Sequence, residues 1–158
     1  MSPTVQLIDA KLLARTLERA SGSPRLRANH NFHPSAAANP HRFLNAFLRG
    51  SYAAPHRHLA DPKAESFIVL QGELGVWLFD DSGSIIEQHR LGRDGVLGID
   101  LGPGVWHTVA CLSETAVCFE VKPGPYDVAT DKEFAPWAPR EGDPDAPAYL
   151  ARLIAALG

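Results

Sequence analysis

Apolar and polar positions along the chain fall into three kinds of stretch. Near the N-terminus, Leu12, Leu13, Leu17 and Ala20 recur at helical spacing behind Asp9, whose carboxylate can accept from the first free N–H groups of a helix. Gly22 and Pro24 end that stretch. Near the other end, Tyr149, Leu150, Leu153, Ile154 and Leu157 share one side of a second helix, expected over 146–157. Its polar side carries Arg152 and no lysine, which favours packing on the domain over lying on a membrane surface. The middle of the chain has a shorter rhythm. Residues 43–49, 65–70, 74–79, 84–89, 97–101, 107–112 and 116–121 are short runs rich in β-branched and aromatic side chains, the pattern of strands. Gly72, the turn Asp81-Ser82-Gly83, the span from Gly92 to Gly95 and Gly102-Pro103-Gly104 separate them. Seven such strands predict an all-β sandwich or barrel with a helix at each end.

Composition supports this reading. The 13 glycines and 13 prolines are spread along the chain, as many tight turns between short elements require. The 158 residues suit one domain, expected as an N-terminal helix (1–24), a barrel (25–122), a Pro-rich loop over or beside the barrel (123–142) and a C-terminal helix (143–158). A net charge of −3 argues against a nucleic-acid binder. No apolar run reaches the roughly 20 residues of a membrane span. The start, Met1 to Gln6, lacks the basic and apolar regions of a secretory leader, so a cytoplasmic protein without a membrane partner is expected. Cys111 and Cys118, expected on adjacent strands, read as small buried apolar residues. Phosphate-loop, dinucleotide-binding, C-x-x-C and G-x-S-x-G motifs are absent from the sequence.

The chemistry-bearing feature is His56-Arg57-His58. On a strand, residues two apart point the same way, so the two imidazoles form two corners of a metal site. Gly50 precedes His56 by six positions, Glu65 follows His58 after six intervening residues, Gly72 follows Glu65, and Gly102-Pro103-Gly104-Val105-Trp106-His107 comes later. This arrangement resembles the two motifs of the cupin superfamily. It departs from them in a longer gap before Glu65, in the placement of Pro103, and in Cys111 where the family has Asn. The resemblance implies a cupin double-stranded β-helix, a jelly-roll barrel. In it His56, His58, Glu65 and His107 converge on one divalent metal ion. The other role open to Glu65 is an ion pair with Lys63 or Arg57. Imidazoles plus one carboxylate suit Zn, Fe, Mn, Ni or Cu without choosing among them.

A narrower likeness extends from about residue 27 to 141. Arg42-Phe43-Leu44-Asn45, Pro55-His56-Arg57-His58, Trp106-His107-Thr108-Val109, Lys122-Pro123-Gly124-Pro125-Tyr126 and Phe134-Ala135-Pro136-Trp137-Ala138-Pro139 are similar to the WbuC family of cupin-fold metalloproteins. That resemblance implies a cupin barrel binding a metal, in the setting of surface-polysaccharide synthesis. Because an open metal position can activate water or polarise a carbonyl, the first expectation is a metalloenzyme acting on a small polar molecule, such as a sugar or nucleotide-sugar, by isomerisation or hydrolysis. The alternatives are a non-catalytic ligand-binding or sensing cupin and an Fe(II)-dependent oxygenase. Arg42, Tyr126, Lys132 and His33 are candidates for holding an anionic or hydroxylated ligand. The Pro-rich segment is expected to cross the open end of the barrel and bring Tyr126 and Lys132 towards the metal, or else to cover an edge strand. Unpaired edges make a homodimer an expectation as well.

Overall fold

A computed structural model describes residues 4–158; residues 1–3, part of the start read above for a leader, lie outside the described residues. Helices α1 (Ala10–Ser21) and α2 (Ala146–Leu157) lie where the apolar spacing predicts them. Asp9 Oδ1 accepts from the Leu12 N–H at 2.8 Å and opens α1. The seven expected strands are present as β2 (His41–Leu48), β4 (Glu65–Gln71), β5 (Glu73–Phe79), β6 (Ile85–Gly92), β7 (Gly98–Leu101), β8 (Trp106–Cys111) and β9 (Thr115–Lys122). Three more join them: β1 (Arg27–Asn31), β3 (His56–Arg57) and β10 (Glu133–Phe134).

The strands form two antiparallel five-stranded sheets, β1-β2-β9-β4-β7 and β10-β3-β8-β5-β6. This is the cupin jelly roll, with one correction: the barrel is not closed. Each sheet keeps its own edges, and the two are joined through side chains packed between them rather than by a continuous ladder. The cysteines are buried, as expected, but not on adjacent strands of one sheet. Cys111 lies on β8 and Cys118 on β9, in different sheets, both buried and free.

Three apolar layers hold the molecule together. Phe47, Phe67, Val69, Leu74, Val76, Leu78, Leu91 and Cys118 fill the space between the sheets. Outside the first sheet, Leu12 and Ala20 of α1 cover Leu44, Ala46 and Val117. Outside the second, Leu150 and Leu153 of α2 cover Trp77, Phe79 and Ala110. Strand β5 is therefore buried on both faces, with Leu74, Val76 and Leu78 inward and Trp77 and Phe79 outward. That explains why it reads as an unbroken apolar run.

The segment after β9 is fixed at several points. The Gly124 N–H donates to Asn39 Oδ1 (3.1 Å) and the Tyr126 N–H to the Ala36 carbonyl (2.8 Å). Gly124 is required here because a Cβ would stand 1.8 Å from the Ala38 carbonyl oxygen. Further on, β10 pairs with β3, placing Glu133 opposite Arg57 and Phe134 opposite His56. Arg57 binds the Glu133 carboxylate through two nitrogens (2.9 and 3.0 Å) and stacks on Trp106. The segment thus covers a sheet edge at β3, and it also carries Lys132 to a cavity beside His56.

Candidate metal centre

Inward-facing positions change character along the strands. On β9 they run Ala116, Cys118, Glu120, Lys122; on β4, Val69, Phe67, Glu65; on β8, Cys111, Val109, His107. The apolar half of each set packs in the core, and the polar half lines a cavity of about 280 Å³ at one end of the sandwich. His56 of β3 pairs with His107 of β8 and faces the same cavity.

Here His56, His58, Glu65 and His107 come together, each offering one ligand atom, all within 4.8 Å of one another. His58, Glu65 and His107 are buried. The ring centroids of His56 lie 4.5 Å from His107 and 5.3 Å from His58. Glu65 pairs with neither Lys63 nor Arg57, which bind Asp61 and Asp131, and Glu133 and Asp81, respectively. Its two oxygens instead face imidazoles, Oε1 at 2.8 Å from His107 Nε2 and Oε2 at 3.0 Å from His58 Nε2.

The opposite nitrogen of every ring is held by backbone. His56 Nδ1 donates to the Ala54 carbonyl (3.0 Å), His107 Nδ1 to Val105 (2.8 Å) and His58 Nδ1 to Asp131. With Nδ1 carrying the proton, each neutral ring turns an Nε2 lone pair towards the centre. Lone pairs on His58 and His107 then face an anionic carboxylate, which is repulsive unless a cation stands between them. His58 Nε2 is buried and makes no hydrogen bond, despite its 3.0 Å approach to Glu65. A divalent ion resolves both defects, so this donor set fits a metal.

The electrostatics agree with a site made for positive charge. Without an ion, a protonated His107 takes its place: burial disfavours the Glu65 carboxylate, but the charge of His107 and the close approach of His107 and His58 outweigh it and hold Glu65 well below the ordinary range. Burial lowers His107, and the Glu65 charge and hydrogen bond more than restore it. His56 lies well below the ordinary histidine value, through burial, then His107 and Lys132, and so presents a neutral ring.

The remaining candidates separate. Lys132 lines the cavity beside His56. Tyr126 and His33 line an adjoining outer cavity of about 390 Å³ that shares Arg25, Asn29, Phe43, Lys122 and Lys132 with the inner one. Arg42 is not brought to either: it alternates with Phe43 on β2, faces outward, and lines a separate groove with Phe32 and Phe119. Sequence reasoning did not single out Arg25, Arg27, Asn45 or Glu120, all of which line the inner cavity. Glu120 accepts from Asn45 Nδ2 at 3.2 Å. Burial, then the nearby Glu65 charge, pushes its carboxyl up to about 6. The available signal was a charged residue on β9 at the parity of Ala116 and Cys118.

A family profile described as "Domain of unknown function (DUF6016)" matches residues 8–91. No curated protein sequence matches the chain. Among solved structures of cupin fold, the capsular polysaccharide assembling protein CapF from Staphylococcus aureus is 18% identical, with a TM-score of 0.59 over 71% of this chain and 32% of that one. The protein TT1209 from Thermus thermophilus is 22% identical, with a TM-score of 0.55 over 75% of this chain and 97% of that one. NovW, a 4-keto-6-deoxy sugar epimerase of Streptomyces spheroides, is 19% identical, with a TM-score of 0.50 over 59% of this chain and 49% of that one. The chain spans about a third of the length of the CapF chains it matches. At these identities the likeness is one of fold.

Proposed function

The chain belongs to the DUF6016 family, and we propose that it is a divalent-metal cupin, with His56, His58, Glu65 and His107 as ligands, acting as a metalloenzyme on a small polar molecule. The observation that carries the proposal is the set of three imidazoles whose Nδ1 atoms are tied to backbone carbonyls while their Nε2 atoms converge with Glu65. An ion held there would polarise a bound oxygen and lower the pKa of a bound water.

The chain's own residues supply the rest. The Nδ1 bonds fix the rings in one tautomer and orientation, so no loop has to order itself when the ion binds. Glu120, near the ligands but not among them, places a carboxyl on the cavity wall where it can exchange a proton with a bound molecule, and Asn45 holds that carboxyl in place. That group supports turnover over passive ligand binding. A sugar or nucleotide-sugar substrate, and the narrower kinship with the WbuC proteins, are parts of the same proposal. They are supported by the segments Gly124-Pro125-Tyr126 and Phe134 to Pro139 and by the fold likeness to CapF, a capsular polysaccharide assembling protein, and to NovW, a sugar epimerase. No helix among the described residues is long and apolar enough to cross a membrane.

Metal analysis tests the proposal. The unaltered protein is expected to bind about one equivalent of a divalent ion, and the His56→Ala and His58→Ala proteins less than about a tenth, each remaining folded by circular dichroism. Failure of the unaltered protein to take up metal, even on reconstitution, removes the reading.

A further inference from the structure

The two adjoining cavities differ in charge. The inner one contains both carboxylates, Glu65 and Glu120. The outer one is lined by no Asp or Glu; its cations, Arg25, Lys122 and Lys132, are shared with the inner one, and Arg25 is bound to Glu141. Lys132 has no ion-pair or hydrogen-bonding partner among the described residues. Lys122 reaches only Asp131, at 3.8 Å, and Asp131 also faces Lys63 at 3.7 Å. Neutral donors complete the wall. His33 lines it too, its Nδ1 held against the Arg42 backbone, 3.0 Å from the carbonyl and 3.1 Å from the N–H. Ser35 and the half-exposed Tyr126 add hydroxyls.

Lysines gathered on a cavity wall that carries no carboxylate of its own repel one another, and an anion relieves that repulsion. We propose that the outer cavity is an anion subsite, in which Lys122 and Lys132 hold the phosphate or carboxylate group of a molecule whose oxygen atoms reach the metal centre next door. The proposal rests on the metal reading for the second half of that statement. The subsite itself stands on the lysines and the wall. Lys132 lines both cavities, so a ligand held by it has its uncharged part directed at His56 and Glu120. The neutral donors suit a hydroxylated body, and the small inner volume suits a single ring or short chain.

Phosphorus NMR and calorimetry with inorganic phosphate, and calorimetry with acetate, test this on the full chain, with metal content measured on each sample. Phosphate is expected to bind saturably, to weaken at least about tenfold in Lys132→Gln and in Lys122→Gln, and to weaken with added sodium chloride, while metal content is unchanged. Stronger binding of phosphate marks the group as a phosphate ester, and stronger binding of acetate as a carboxylate. The His56→Ala protein separates the two readings. Phosphate binding that persists there, without metal, supports the subsite whatever the fate of the metal proposal. Binding lost in His56→Ala but retained in both lysine variants means that phosphate sits on the metal, and overturns the subsite. So does the absence of saturable binding of either anion.

Discussion

The two ends of the space between the sheets are built from the same strands and obey opposite rules. At one end Phe47, Phe67, Val69, Leu74 and Cys118 pack as an ordinary core, where every methylene removed from water adds to stability. At the other end, the next inward residues along those strands are Asn45, Glu65 and Glu120, with His107 opposite. These groups gain little from burial and several are held against it, as the raised carboxyl of Glu120 shows. The apolar end supplies the stability, and the polar end spends part of it on a cavity with converging nitrogens.

The largest test of this contrast is Phe67→Ala. Phe67 is almost fully buried in the apolar layer, so its loss is expected to cost about 3–5 kcal/mol in chemical denaturation. Metal bound per folded molecule should stay unchanged. A protein that loses its metal and little stability would show that the two ends are not separate.

A smaller effect comes from pH. In the folded protein the Glu120 carboxyl holds its proton up to about 6, against an ordinary value of 4.5. Its contribution to stability is therefore fully present below 4.5 and is lost as pH rises through about 6. Metal-free Glu120→Gln protein should lack that loss, so the stability difference between it and the unaltered protein should change between those two values and be flat on either side. Parallel pH–stability curves would place Glu120 outside the strained end.

The smallest effect is expected at the rim. Glu141 binds Arg25 (2.7 Å) and Arg27 (2.9 Å), and these contacts outweigh burial and lower its carboxyl to about 2. Its contribution is present above the ordinary value of 4.5 and is lost as pH falls towards 2, opposite in sign to that of Glu120. Because the pair is partly exposed, Glu141→Gln should cost less than about 1 kcal/mol at neutral pH. A larger loss, read from thermal denaturation, would mean that the rim braces the cavity.

Much of this was legible in the sequence, and the failures have physical causes. Both helices and seven strands followed from apolar spacing because most of them bury a regular face; β6, with Ile85 and Ile86 exposed, was found from its β-branched residues instead. Strand β1 was missed: Arg27-Ala28-Asn29-His30-Asn31 contains no β-branched or aromatic residue of the strand-forming kind, and its extended form comes from pairing with β2. Strands β3 and β10 are two residues long, too short for any periodicity. His56, His58, Glu65 and His107 were found together because motif spacing carries them, and the structure brings them together. Arg42 was weighed by its charge, whereas strand alternation decides where it points, and its neighbour Phe43 takes the inward place. Glu120 and Asn45 were passed over because β9 and β2 were read as uniform strands, although their inward sets change from apolar to polar part-way along.

That change along each strand also limits how the strands can align. Sliding β9 by two residues against β2 would keep every side chain on its own face, so alternation alone does not forbid it. In the native alignment Glu120 lies opposite Phe43 and Cys118 opposite Asn45. After such a slide towards the core, Glu120 would occupy the level of Cys118, among Phe47 and Val69, and an unpaired buried carboxylate there costs several kcal/mol. The polar residues of the cavity therefore select one alignment among those that the apolar pattern permits, and the features that prepare the site for chemistry also make the fold unique.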